Sequence, residues 1–162
     1  MTRVIAKATS KAEHSGAIVV SFDSRWLRPI QDARVRAVLR KRVPTSADAK
    51  WMYLYVNSPV AAIVARARIT RIEKVTSDDA SEHVAELVLT VGDIDKYIGD
   101  ADTVGMYVLN DIAIAEKPLT ISEMGKELVF YPPQSFLFLS DAGKGVIDRR
   151  TGFQGSGKQK AK

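Results

Sequence analysis

Trp51-Met52-Tyr53-Leu54-Tyr55-Val56, the turn Asn57-Ser58-Pro59, and then Ala61 through Val75 form the stretch on which the fold turns. Aromatic and β-branched residues crowd both runs, and a polar, proline-bearing turn divides them, which predicts two strands joined by a short link. Alternation along the first run puts Trp51, Tyr53 and Tyr55 on one face. Along the second, Arg66 and Arg68 alternate with Ala65, Ala67 and Ile69, so the arginines share a side.

Working outward, Ala17-Ile18-Val19-Val20-Ser21-Phe22 suits a buried strand, and Asp23 or Ser24 is placed to cap a helix from Arg25 to about Ala33, shortened by Pro29. Arg34 to Arg42 alternates as a half-buried strand. Val35, Ala37 and Leu39 face inward, Arg34, Arg36 and Arg40 form a basic outer face, and Val38 interrupts the pattern. Residues 77–98 are acidic and helix-like in two pieces, about Ser81 to Leu87 and Ile94 to Ile98. Val104 to Ala115 returns to strand character, Ser122 is placed to cap one helical turn, and the run from Phe130 to Leu139 ends in a last strand that excludes its prolines. Strands enclosing short helical insertions predict an α+β chain, a mixed β-barrel rather than a doubly wound sheet. The expected organisation is a leader over residues 1–16, one domain over 17–148 and a basic, flexible tail over 149–162.

The composition is that of an ordinary globular domain: 162 residues, 46% hydrophobic and 27% charged. With no cysteine there is no thiolate metal site, no cysteine nucleophile and no disulfide framework. The start of the chain lacks a signal-like apolar run, and the longest apolar stretches fall short of a membrane span, so a soluble, cytoplasmic protein is expected. His14 and His83 are too far apart in sequence to suggest a metal site, and no phosphate-binding glycine loop follows a strand, so no cofactor is expected.

Charge is polarised along the chain. Residues 1–74 hold fifteen Lys/Arg against five Asp/Glu, residues 75–127 three against twelve, and residues 128–162 six against two. These give +10, −9 and +4, which sum to the formal +5. A positive face of this kind attracts phosphate backbones through counterion release, whatever their sequence.

Three segments, in order, resemble the ASCH family of PUA-like domains. The first is Ser21-Phe22-Asp23 followed by Trp26, Ile30 and Asp32 to Arg40. The second is Tyr53-Leu54-Tyr55-Val56-Asn57-Ser58-Pro59-Val60, and the third Tyr131-Pro132-Pro133-Gln134-Ser135-Phe136. Asp93 to Ile98 looks like the family's short helix between them. The resemblance spans roughly residues 17–140 and implies a PUA-like barrel whose cleft takes RNA or a modified nucleotide. Some members look like small amidohydrolases that use a lysine and a hydroxyl or carboxylate of the first motif. In this chain the motif glycine is Ala33, and the two reactive positions are Val35 and Val38. Valine neither transfers a proton nor acts as a nucleophile, so the departure weighs against an enzyme.

The expected function is therefore a nucleic-acid- or nucleotide-binding module. Arg25, Arg34, Arg36, Arg40 and Lys41 are the expected phosphate-facing cations, and Tyr55, Ser58, Gln134 and Ser135 the groups that approach a base. Trp26, Trp51, Tyr53 and Tyr55 could form a base-stacking surface, but such residues are more often core, and Trp51, Tyr53 and Tyr55, sharing a face, have packing inside the barrel as their other role. Two other readings stay open: a hydrolase or nuclease rebuilt around Lys41 or Lys50 with Asp48 and Ser135, and an adaptor whose acidic segment 75–127 docks a protein partner.

Overall fold

A computed structural model of the chain describes residues 4–5, 14–45 and 47–153. The strands are β1 (Val4–Ile5), β2 (His14–Phe22), β3 (Ala37–Arg40), β4 (Trp51–Val56), β5 (Ala62–Val75), β6 (Val104–Thr120), β7 (Leu128–Val129) and β8 (Leu137–Ser140). The helices are α1 (Leu27–Gln31), α2 (Ser77–Ser81), α3 (Val84–Leu87), α4 (Val91–Ile98), α5 (Ile121–Met124) and α6 (Asp141–Thr151).

The expected turn at Asn57-Ser58-Pro59 joins β4 to β5 through a cis Ser58–Pro59 bond, and the two strands pair antiparallel from Trp51 against Arg68 to Val56 against Ala62. Around this hairpin the sheet runs β3-β6-β5-β4-β2-β8, with β2 and β4 parallel and the other pairs antiparallel. A short parallel ladder joins β1 to β7.

The chain is thus α+β, as expected, but among the described residues no ladder closes the sheet between its two ends. It curls instead. Val20 and Phe22 of β2 share one hydrophobic cluster with Val38 of β3, although these strands lie near opposite ends of the order. Arg40 of β3 spans the remaining seam by donating from Nη2 to the carbonyl of Ser21, 2.8 Å away. Side chains, not strand pairing, bring the two ends together.

Two further clusters cover the outside. Tyr53, Tyr55, Ala17 and Val19 pack beneath α5, β7 and α6, and Ala37, Leu39 and Met106 pack beneath α2, α3 and α4. Burial on both faces corrects the reading of residues 34–42. The paired strand is only Ala37–Arg40, Val38 points into the main core, and the side expected to be a basic outer face is partly apolar.

Other boundaries move for local reasons. The first helix is a 3-10 turn over Ser24–Trp26, where Asp23 accepts from the Arg25 N–H at 3.3 Å, followed by the single short helix α1. Pro29 is the third residue of α1, in the first turn, where its missing N–H is no loss. The acidic stretch forms three helices rather than two. Capping boxes account for part of its acidity: Thr76 with Asp79, Thr90 with Asp93, and beyond them Thr120 with Glu123, so Thr120 and not Ser122 caps α5. Helix α6 was not expected; capped by Ser140, it crosses the expected boundary at residue 148, and Phe153 beyond it is buried. Strand β1 and the start of β2 fall within the expected leader; the other leader residues and the tail beyond 153 lie outside the described residues. Among the described residues no helix is long and apolar enough to cross a membrane.

Candidate nucleic-acid interface

The seam between β2 and β3 opens into a cleft of about 510 Å³. Its first wall follows from the chain leaving β2: Phe22 ends the strand, Asp23 caps the turn, and the turn carries Arg25 and Trp26. The chain must then reverse to start β3. It does so at Ala33, whose φ of +57° lies in the left-handed region that favours glycine. The second wall is Val35 and Ala37 to Lys41. The third comes from the helical insertion, where Asp93, Lys96 and Tyr97 of α4 line the cleft while Ile94 and Ile98 of the same helix are buried.

Arg40 holds the centre. Its Nη1 donates to the carbonyl of Leu39 at 2.7 Å, its Nη2 to Ser21, and its guanidinium lies 4.8 Å from the centroid of the Phe22 ring. Among the described residues no carboxylate lies within 4 Å of it. Burial pushes its pKa below the ordinary guanidinium value, the neighbouring Tyr97 and Tyr107 opposing this, but an arginine so placed stays protonated at neutral pH. A desolvated cation without an anionic partner is costly, and an arriving anion relieves that cost.

Three exposed cations surround it. Arg25 lies 5.2 Å from the Trp26 ring centroid, Lys41 lies 5.3 Å from that of Tyr97, and Lys96 joins them from α4. Asp93 is the one carboxylate of the lining, and its oxygen accepts from the Thr90 backbone N–H at 3.0 Å. That hydrogen bond, with one from the Thr90 side chain, holds its pKa below the usual carboxylate range. Four cations against one carboxylate leave the lining at +3. Cations set among Phe22, Trp26 and Tyr97 suit a ligand that is both anionic and aromatic. The lining holds no serine, threonine or histidine, and the apolar Val35 and Val38 are part of it.

Of the residues expected at the site, Arg25, Arg40 and Lys41 come together here. Arg34 and Arg36 are exposed on the approach to β3 and do not line the cleft; the Arg36 backbone is tied to Glu86 and Leu109. Tyr55, 2% exposed, packs in the cluster under α6, with its ring 5.6 Å from that of Phe130. Ser58 and Gln134 are exposed and Ser135 half-buried, all outside the lining. Lys50 and Asp48 are also outside it, and Asp48 accepts from the Thr45 hydroxyl at 2.8 Å. Lys96, Tyr97 and Asp93 line the cleft in addition to the residues expected there. Their spacing on one face of a helix whose other face is apolar is the signal that marks them.

Trp51 and Tyr53 belong to a different cluster. The Tyr53 hydroxyl donates to Asp148 Oδ1 at 2.5 Å, Arg66 lies 3.4 Å from the same oxygen, and Lys144 donates to Oδ2 at 2.9 Å. The Arg66 guanidinium stacks 4.5 Å from the Trp51 ring centroid and 5.2 Å from that of Phe153. Burial, then the charge of Asp148, pushes the Tyr53 hydroxyl well above its ordinary value. Among the described residues no group of three or more His, Asp or Glu is placed to hold a metal ion.

No protein-family model and no curated protein matches this sequence. Solved structures do match its fold. A serine-to-alanine variant of the ASCH protein from Zymomonas mobilis superposes with a TM-score of 0.76 at 17% identity, covering 86% of this chain and 99% of that one. The unsubstituted Zymomonas mobilis ASCH protein gives 0.74 at 18% identity, covering 84% and 96%. The N-terminal domain of McrB from Staphylothermus marinus gives 0.60 at 10% identity, covering 93% and 98%. The chain has an ASCH-like fold.

Proposed function

We propose that the chain is a nucleic-acid-binding module that holds one nucleotide of a single strand in the seam cleft. A base enters among Phe22, Trp26 and Tyr97, and its phosphates meet Arg25, Lys41 and Lys96. The observation that carries this reading is Arg40: a largely buried guanidinium at the cleft, fixed by two carbonyls and an aromatic ring, with no carboxylate to neutralise it among the described residues. The remaining donor capacity of its planar fork suits a phosphate or a base carbonyl. The ASCH-like fold supports the same reading, and RNA is its preferred ligand through the family resemblance.

The test is a fluorescence-anisotropy titration of a labelled single-stranded RNA against the native protein, Arg40→Gln and Lys41→Gln/Lys96→Gln. Loss of a charge-assisted contact at Arg40 costs about 1.5–3 kcal/mol, or about 10- to 150-fold in affinity. The lysine pair instead lowers the salt slope by about 0.7 for each phosphate contact removed. Native affinity in a folded Arg40→Gln protein would sink the proposal. Product formed from RNA or an acylated nucleoside in the same mixtures would favour a rebuilt hydrolase.

A further inference from the structure

Beside the cleft lies a second, smaller depression of about 310 Å³. Lys41, Arg42 and Lys74 line it, with Thr103, Gly105 and Phe136, and no carboxylate is part of its lining. Lys41 lines both spaces, so the two meet at that residue. We infer that the ligand is a strand running from the cleft across Lys41 into this depression, at least three nucleotides long, and not a lone nucleotide. The inference rests on the proposed nucleic-acid function and adds the length and path of the ligand.

Three observations converge on it. All of the charge in the depression is positive, so the +3 of the cleft continues without an intervening acidic group. A polyanion can follow such a path, whereas a single nucleotide fills only the first space. The path is also built on a fixed floor. Gly105 of β6 pairs with Arg40 of β3 on one side and Lys74 of β5 on the other. Adjacent strands lie about 4.8 Å apart, so the Arg40 and Lys74 backbones stand about 10 Å apart, farther than one nucleotide step reaches. Gly105 also sets the segment that carries Lys41 and Arg42. A Cβ at this position would lie 2.6 Å from both methyl groups of Val43, so only glycine lets residues 41–43 rest on the sheet here. Finally, Phe136 gives the depression an aromatic ring, half-buried and 5.6 Å from the ring of Phe138, on which a second base can stack.

The experiment compares uridine monophosphate with single-stranded hexauridylate by calorimetry at several salt concentrations, on the native protein and on Arg42→Gln/Lys74→Gln. Both substituted side chains are exposed, and thermal denaturation checks that the variant folds. The hexamer should bind the native protein at least about tenfold tighter than the monophosphate, and the double variant should lose about 1.4 from the hexamer's salt slope while leaving the monophosphate unchanged. A hexamer that binds no tighter, or a hexamer slope unaffected by the double variant, overturns the inference and leaves a mononucleotide site. Failure of both ligands to bind overturns the proposed function itself. An acidic peptide that competes with an equal salt slope would overturn the nucleic-acid strand in favour of a protein partner.

Discussion

Replacing Asp148 by asparagine removes the single negative charge beneath three donors: the Tyr53 hydroxyl at 2.5 Å, Lys144 at 2.9 Å and Arg66 at 3.4 Å. The Arg66 side chain is 7% exposed and its Nε has no hydrogen-bond partner among the described residues, so the substitution leaves a buried guanidinium without its counter-charge. Removing one member of a buried pair typically costs about 3–5 kcal/mol. Asp148 is 14% exposed, so some water reaches the site and the lower end, about 3 kcal/mol, is expected. In a domain of this size each kcal/mol moves the melting temperature by about 2–4 °C, so Asp148→Asn should melt about 6–12 °C below the native protein. Urea and thermal denaturation followed by circular dichroism read both quantities. Asp148→Asn/Arg66→Met should recover much of the loss, because the second substitution removes the stranded charge. A single variant within about 0.5 kcal/mol of native, or a double variant with simply additive losses, would refute the reasoning.

Ala33→Gly should raise stability by about 0.5–1 kcal/mol in a urea melt, since the exposed Ala33 sits at φ +57°, where a side chain is strained; a loss of stability would contradict this. Gly105→Ala should cost about 1–3 kcal/mol by driving a Cβ into Val43, with partial recovery in Gly105→Ala/Val43→Ala. Alkaline stability should fall above about pH 10. Burial holds the Tyr53 and Tyr107 hydroxyls above their ordinary value near 10, so their contribution is whole below that pH. It is then lost at about 1.4 kcal/mol per pH unit for each tyrosine, in urea midpoints taken from about pH 8 to about pH 11. Tyr107→Phe should remove one such increment. It should also cost little at neutral pH, because the buried Tyr107 hydroxyl has no partner among the described residues.

The hairpin from Trp51 to Val75 was legible because two-residue alternation and a proline turn are properties of the local chain. Alternation also correctly set Trp51, Tyr53 and Tyr55 on one face. It could not say that α6 and Phe130 would cover that face, which turned Tyr55 into core. The same limit explains Arg34 and Arg36. An alternating strand implies one wet face, but α3 and α4 pack over Ala37 and Leu39 while Val38 fills the main core, so only Arg40 is drawn into the seam. Helix α6 leaves a weak sequence signal because Gly143 and Gly145 lower its propensity and its apolar positions are few. The threonine–acid capping boxes at Thr76, Thr90 and Thr120 mark the starts of α2, α4 and α5, but not that of α3, whose N-cap His83 makes no side-chain cap hydrogen bond. The cleft itself depends on a curl that brings β3 back to β2, a long-range outcome that no short window encodes.

The chain has two tryptophans, and they stand in different places: Trp26 lines the seam cleft, and Trp51 packs by Arg66 in the Asp148 cluster. Their indole N–H resonances, assigned with Trp26→Phe, can be followed by nuclear magnetic resonance while single-stranded RNA is added. Binding in the seam shifts the Trp26 signal progressively and leaves that of Trp51 in place. Movement of Trp51 alone, or RNA binding with both signals still, would contradict the assignment of the cleft.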